Sequence, residues 1–133
     1  MVSARRENGT RVIRRWNDVF RAISAEPRRQ LLLSLLDSSP DESVPLPESA
    51  VNPNAPAAPE TLRRALFHNH LPTLAELEFI DWDRDPLVAT RGPRFDEVAV
   101  VFDALHSHAT EIPDPLVIGC QRLEREREFG HGE

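Results

Sequence analysis

The sequence predicts a mainly α-helical domain that carries a small β-hairpin. Segment 67–83 is the strongest observation, because apolar residues recur at helical spacing up to Leu77 and residues 79–83 then alternate apolar and acidic side chains. Residues 16–23 and residues 95–109 supply the other two observations, since each places apolar residues on one helical face. We therefore expect a helix that runs directly into a hairpin, framed by other helices.

Length and cysteine content limit the class of protein. A chain of 133 residues suffices for one domain with its own core. The single cysteine, Cys120, excludes a disulfide framework and favours a reducing cytoplasm. No apolar run approaches the roughly 20 residues that cross a bilayer, and the arginine-rich start lacks the apolar core of a signal peptide. We expect a cytoplasmic protein with no membrane partner.

The charge pattern is unusual because all 16 basic residues are arginine, set against 22 acids for a formal net charge of −6. An acidic, lysine-free surface is typical of proteins that stay hydrated in multimolar salt, where screening weakens like-charge repulsion. A GC-rich genome, which favours arginine codons, explains the same composition equally well. The negative net charge does not favour DNA binding, which needs a locally basic surface.

A basic segment and two helices are predicted at the start of the chain. Residues 1–15 are a basic N-terminal arm, which either follows phosphates or is a solvated tail. Residues 16–23 then form the first helix of the domain. A second helix begins at Pro27, since proline fits the first helical turn, and runs to about Asp37.

Arg28 and Arg29 are expected to face solvent in the first turn of that second helix.

Residues 38–59 hold half of the 12 prolines. Proline restricts the backbone and removes a donor, so this segment is a loop or contains one short helical turn.

A third helix is predicted over about residues 60–78, where Pro72 introduces a kink rather than an end because the apolar period continues. Residues 79–91 form the hairpin. The last helix, 95–109, has one apolar seam that we expect to dimerise. The residues of this seam are Phe95, Val98, Val101, Phe102 and Leu105.

The predicted order of elements is that of a winged helix-turn-helix domain over residues 16–110, with an additional C-terminal dimerisation helix. That order is helix, helix, short element, helix, two strands, helix. Residues 111–133 follow as a charged tail, which is either a helical stub with paired charges or disordered.

Two blocks of sequence resemble ArsR-like winged-helix regulators. DVFRAISAEPRRQLLLSLLD resembles the family pattern F-x-A-L-x-x-P-x-R-x-x-I-L-x-x-L, and HNHLPTLAELEFIDWD resembles S-x-H-L-x-x-L-x-x-A-G-L-V. The second block is closer still to small haloarchaeal winged-helix domains with the pattern L-x-x-x-H-L-P-x-L-x-x-x-x-x-I-x-[WY]-[DE]. The resemblance covers about residues 16–105 and implies a transcriptional regulator that binds double-stranded DNA as a homodimer.

The chain departs from the family pattern at two places. Glu78 stands where the family has glycine, so we expect a different passage from the helix into the hairpin. The proline-rich segment 44–53 stands where the first helix of the helix-turn-helix belongs. These departures leave open the alternative of a winged-helix module that docks on another regulatory protein without binding DNA.

The resemblance implies that the 60–78 helix enters the major groove and that the 79–91 hairpin touches the backbone or the minor groove. Arginine pairs with guanine, asparagine pairs with adenine, and arginine also suits a narrow minor groove. An ordinary solvated surface explains the same side chains. The candidate DNA-binding residues are Thr61, Arg63, Arg64, His68, Asn69, Arg84 and Arg91.

Other chemistry has little support in the sequence. There is no glycine-rich phosphate loop, nucleophile elbow or zinc-protease motif, so no enzyme, catalytic residue or cofactor is predicted. Two His-x-His pairs occur, His68 with His70 and His106 with His108. Positions i and i+2 of a helix point to different faces, and His70 fits an apolar core face, so no metal site is predicted.

Overall fold

The computed structural model describes residues 2–131, with side chains over residues 4–129. The described chain is mainly helical with a small three-stranded antiparallel sheet, which confirms the predicted class at this level. The α-helices are α1 (Val2–Ala22), α2 (Glu26–Asp37), α3 (Pro59–Ala65), α4 (Leu71–Glu76), α5 (Phe95–His106) and α6 (Gln121–His131). The strands are β1 (Val44–Pro45), β2 (Ile80–Arg84) and β3 (Leu87–Arg91).

Helix α1 begins well before residue 16 and includes most of the segment predicted as an arm. Its side chains over 4–17 are all exposed, whereas Val19 and Ala22 are buried. Arg15 reaches Glu97 of α5 at 2.6 Å. The basic segment is therefore helical. Neither α1 nor any other described helix is long and apolar enough to cross a membrane.

Helix α2 matches its predicted bounds, with Pro27 in the first turn. Its leucines at positions 31, 32 and 35 are fully buried and form one wall of the core. Burying a leucine side chain stabilises the fold by about 2 kcal/mol, so α2 is a main support of the domain.

Residues 38–59 contain a strand that the sequence did not predict. β1 pairs antiparallel with β3, with Val44 opposite Ala89, which gives the sheet order β1–β3–β2. Pro45 is tolerated because β1 is an edge strand. A 3₁₀ turn at Glu48–Ala50 follows and confirms the short helical turn predicted in this segment.

The helix predicted over 60–78 is present as a continuous helix over 59–76 with a π-helical turn in its middle. α3 passes into a π-helical turn at Leu66–His70, which leads into α4. Pro72 lacks an N–H, and in a regular helix its ring would clash with the carbonyl four residues earlier. The wider turn gives that carbonyl room, so the helix continues through the proline as predicted.

The 59–76 helix ends in a Schellman arrangement at Glu78, which has a left-handed φ of 66°. The N–H groups of Glu78 and Phe79 donate to the carbonyls of Ala75 and Leu74, both at 3.0 Å. The expectation of a different passage into the hairpin is therefore wrong, because glutamate takes the conformation that glycine usually takes. Phe79 and Leu74, which one of these bonds joins, are both fully buried in the core.

Gly92 joins the end of β3 to this helix end. A Cβ atom at Gly92 would lie 2.6 Å from the carbonyl oxygen of Glu78 and 2.7 Å from the nitrogen of Ile80. The N–H of Gly92 donates to the carbonyl of Phe79 at 2.9 Å. Only glycine allows the two backbone segments to approach this closely.

Helix α5 packs its apolar face into the core of the single chain, which corrects the predicted dimer seam. Phe95, Val98 and Phe102 are at most 4% exposed and belong to the core. Val101 is half-buried. Leu105, at 49% exposed, is the one residue of the predicted seam that remains open to solvent.

The predicted charged tail, 111–133, is folded as far as it is described. Two 3₁₀ turns lead into α6, and Val117 between them and α6 is fully buried. Arg122 of α6 donates to both carboxylate oxygens of Asp37 at 2.7 and 2.8 Å. Of the two alternatives for the tail, the helical one with paired charges is therefore the one that forms.

Candidate nucleic-acid interface

The candidate interface is the surface where the first half of the 59–76 helix meets the tip of the hairpin. A shallow depression of about 530 Å³ lies there. Arg63 and Arg64 project from α3 and Arg84 ends β2, and all three are exposed. These three residues are termed the arginine face. The depression is lined by Glu60, Arg63, Arg64, Phe67, His68 and Arg84.

Two aromatic rings join the helix to the hairpin under the arginine face. Phe67 and Trp82 meet edge to face, with their centroids 5.7 Å apart. The Arg84 guanidinium lies 5.5 Å from the Phe67 centroid and 5.4 Å from the Trp82 centroid, and that of Arg63 lies 5.4 Å from the Phe67 centroid. Such cation–π contacts engage the guanidinium face and leave its N–H edge free to donate.

The arginine face has no ion pair in the part of the chain that the structure describes. No carboxylate oxygen there lies within 4.0 Å of a side-chain nitrogen of Arg63, Arg64 or Arg84. Asp81 and Asp83 are exposed on β2 but do not pair with it. The three guanidinium groups are thus available to an external anion.

The remaining candidates on the helix are exposed but differ in their surroundings. Thr61 lies in the first turn of α3, where no side chain caps the helix. His68 lines the depression beside the arginine face. Asn69 is not among the residues that line the depression, and its side-chain oxygen accepts a hydrogen bond from Arg28 at 3.2 Å. The structure therefore brings His68, but not Asn69, to the arginine face.

Arg91 is a structural residue, which corrects its prediction as a DNA contact. Its guanidinium donates to the carbonyls of Leu35 and Ser38, at 3.0 and 2.9 Å, at the C-terminal end of α2. It also lies 4.7 Å over the Phe95 ring. The last carbonyls of a helix largely lack intrahelical partners. Arg91 also donates to the carbonyl of Leu36 at 3.4 Å, and it adds a second donor to the carbonyl of Leu35, which already accepts from the N–H of Ser38.

Arg94, just after the hairpin, is also a structural residue whose donors are occupied within the protein. It donates to Glu97 at 2.9 Å and to Asp18 at 3.2 Å, and it joins α1, α5 and the end of the 59–76 helix. Hydrogen bonding to Glu97, followed by that to Asp18, raises the pKa of Arg94 above its ordinary value despite partial burial. Its charge is compensated inside the protein.

A hydrogen-bonded cluster of buried Arg28 and His70 with exposed Asn69 is the feature that sequence reasoning missed. Arg28 was expected to face solvent, yet it is only 8% exposed. Its Nε donates to Nδ1 of His70 at 3.1 Å, and its Nη1 donates to the carbonyl of Arg21 at 2.8 Å. An arginine one turn before a run of leucines gives no sequence signal for this inward orientation, because the partners come from another helix.

His70 is a neutral acceptor in this cluster. Burial lowers its pKa below the ordinary value of 6.5, and the neighbouring Arg28 cation lowers it further. At pH 7 the imidazole is therefore uncharged, and its Nδ1 is free to accept the Arg28 hydrogen bond.

The two His-x-His pairs are separated by the fold. His70 is buried while His68 is exposed, and His106 lies 2.8 Å from the carboxylate of Glu126 while His108 is exposed. Over residues 2–131, no group of three His, Cys, Asp or Glu side chains is arranged to hold a metal ion.

Comparisons with known proteins find no similar protein. A scan against protein-family models finds no match to the chain, and neither do searches of curated proteins and of solved structures. The functional argument therefore depends on the residues and geometry of the chain itself.

Proposed function

We propose that the chain is a DNA-binding transcriptional regulator with a winged helix-turn-helix fold. The observation that carries the proposal is the arginine face, with three exposed guanidinium groups that have no carboxylate partner among the described residues. An α-helix fits the major groove of DNA, and arginine is the commonest specific donor to guanine there. In this proposal the 59–76 helix is the recognition helix and the hairpin of β2 and β3 is the wing.

The roles of the three arginines follow from their positions. Arg63 and Arg64 lie in the N-terminal half of the recognition helix, the part that contacts base edges in this kind of domain. Arg84 lies at the tip of the wing, where arginine suits a narrow minor groove or its phosphates. Thr61 and His68 flank them and supply further donors to the DNA backbone.

Nearby acids determine how binding depends on salt. Glu60 lines the same depression, and Asp81 and Asp83 are exposed on the wing. Their repulsion of phosphate is strongest in dilute buffer and is screened in multimolar salt. Added salt also weakens the arginine–phosphate contacts. We therefore expect affinity to fall less steeply with KCl concentration than three arginine–phosphate contacts alone would require.

The test is retention of genomic DNA fragments by the pure protein at low and at multimolar KCl. The parent chain should retain a few fragments selectively, and changing Arg63 and Arg64 to alanine should abolish the selection. Arg125→Ala is a matched control, because it removes an exposed arginine from α6. No retention by the parent at either salt concentration contradicts the proposal, and so does equal retention by the Arg63 and Arg64 double variant.

A second candidate function, docking on a protein, has an observation of its own. An apolar groove of about 270 Å³ lies between α1 and α5, and Trp16 and Val100 in it are 49% and 63% exposed. Contiguous exposed apolar residues mark contacts with other proteins. The groove is lined by Val12, Arg15, Trp16, Val19, Glu97, Val100 and Val101.

The occupant of this groove is either a second copy of the chain, as in the homodimer predicted from the sequence, or another regulatory protein. Sedimentation of the parent and of Val100→Asp separates the two. A parent dimer at micromolar concentration that becomes a monomer in the variant supports the homodimer. A monomeric parent contradicts the homodimer. Val100 is the better test position than Phe102, because Phe102 is buried in the core of one chain.

A further inference from the structure

Arg28 is a buried cation whose hydrogen-bond partners are all uncharged. They are the imidazole of His70, the side-chain oxygen of Asn69 and the main-chain carbonyl of Arg21. Among the described residues no carboxylate oxygen lies within 4.0 Å of its guanidinium. Keeping a charge buried without a counter-ion is unfavourable, so this arrangement points to an anion that comes from outside the chain.

The geometry also fixes the orientation of the Asn69 amide. A guanidinium has only donors, so the Asn69 atom 3.2 Å from Nη2 of Arg28 is necessarily the side-chain oxygen. The NH₂ group of Asn69 then lies on the side away from Arg28. Asn69 is an exposed residue, and the positive charge of Arg28 lies directly behind its amide group.

We propose that Arg28 and Asn69 together form a phosphate-binding site, in which the Asn69 NH₂ group donates to a phosphate oxygen and Arg28 supplies the positive charge behind it. The inference rests on the proposed function, since the phosphate is one of the DNA backbone beside the recognition helix. Donors backed by a cation are the groups that bind phosphate oxygens most strongly.

This assignment differs from the adenine contact expected for Asn69 from the sequence. Bidentate pairing with adenine needs the asparagine oxygen to accept from the base and the NH₂ group to donate to it. The Asn69 oxygen is already directed at Arg28. Asn69 is therefore a positioning contact that is indifferent to DNA sequence.

The first test compares Asn69→Ala with the parent on two duplexes of equal length. One duplex is a fragment that the parent selects, and the other is unrelated in sequence. The variant should bind both about tenfold more weakly, which is the effect of roughly one charge-assisted hydrogen bond. The factor should be the same for both duplexes, because phosphates carry no sequence information.

Asn69→Asp tests the contribution of the Arg28 charge. Aspartate accepts the same hydrogen bond from Arg28 and neutralises it, so the slope of log affinity against log KCl concentration should lose roughly one unit. Asn69→Ala should keep the parent slope because Arg28 remains cationic. Asn17→Asp adds the same charge at an exposed position of α1 and is the matched control.

The possible failures are distinguishable. Equal affinity of Asn69→Ala and the parent for duplexes that the parent binds overturns the phosphate site and leaves the proposed function intact. A loss confined to the selected duplex also overturns it, in favour of a base contact.

Should the parent bind no duplex at all, the proposed function fails and a titration with inorganic phosphate decides the site. A saturable shift of the Arg28 Nε–Hε resonance that is absent in Asn69→Asp supports a site for free phosphate. No shift overturns the site.

Discussion

Arginines at the two ends of the hairpin differ in whether the protein itself occupies their donors. The root is the end where Glu78 and residues 91–94 adjoin the strands, and the tip is the turn after Arg84. At the root, Arg91 donates to carbonyls at the end of α2, and Arg94 is paired with Asp18 and Glu97. At the tip, the guanidinium of Arg84 lies over two aromatic rings and has no ion pair among the described residues. The root lies against helix ends, whose unpaired carbonyls need donors, whereas the tip meets no such group. Position relative to the helix ends thus decides which arginine remains free for a ligand.

The largest expected effect is at the root, in Gly92→Ala. The new methyl would lie 2.6 Å from the backbone oxygen of Glu78, so the backbone must shift. We expect a loss of about 3 kcal/mol in the free energy of unfolding, measured by urea denaturation. Gly9→Ala is the matched control, because a Cβ added there would have no atom within 4 Å and alanine favours the helix. Equal stability of Gly92→Ala and the parent would show that the root is loosely packed.

The arginines themselves give the next effect. Arg91→Ala should lower the free energy of unfolding by about 2 kcal/mol, because two helix-end carbonyls lose a charged donor. Arg84→Ala should change it by no more than about 0.5 kcal/mol but should weaken duplex binding. Urea denaturation and fluorescence anisotropy measure the two quantities. The comparison fails if Arg84→Ala proves the more destabilising of the two.

Glu78→Gly tests whether the root stores strain. Glu78 has a left-handed φ of 66°, which costs a residue with a Cβ about 1 kcal/mol more than glycine. The variant should therefore be more stable than the parent by about 1 kcal/mol in thermal unfolding. Glu76→Gly, within α4, should instead destabilise. A destabilised Glu78→Gly would mean that the glutamate side chain makes a compensating contact.

The smallest expected effect is on the pH dependence of stability. It tests whether the hydrogen bond from Arg28 to His70 stabilises the fold, as the bonds of Arg91 and Arg94 do. The folded chain holds the pKa of His70 below the ordinary value of 6.5, so the unfolded chain binds the proton more readily. The contribution of His70 to stability is therefore fully present above pH 6.5 and is lost as the pH falls through the lowered pKa.

Urea denaturation between pH 7.5 and about 5 should show this decline, and it should be smaller in His70→Gln, whose amide oxygen accepts from Arg28 without titrating. His68→Gln is the control because His68 is exposed. Identical declines in the parent and in His70→Gln would contradict the assigned role of His70.

Periodicity predicted the elements that bury one continuous face. The helix over 59–76 and the hairpin after it were found because apolar residues recur at the helical period and then alternate. β1 was missed because a strand of two residues, Val44–Pro45, shows no alternation and pairs with a partner far along the chain. The spacing of Phe95, Val98 and Phe102 identified an apolar face of α5, but spacing does not say whether the same chain or a second copy covers it.

The candidate site was predictable only in part for the same reason. Arg84 and Arg91 are the same residue type on the same hairpin, and only the helix end beside Arg91 distinguishes them. The inward orientation of Arg28 depends on Asn69 and His70 of another helix. Such roles are set by tertiary contacts, and a single sequence does not encode them as a local pattern.

The packing of Trp82 against Phe67 and Arg84 also makes the chain its own optical reporter. The chain has two tryptophans, and the other one, Trp16, lies in the groove between α1 and α5. Indole emission responds to the polarity and charge around the ring. In a Trp16→Phe chain the emission therefore reports on the arginine face alone, and in a Trp82→Phe chain it reports on the groove alone, without any attached dye.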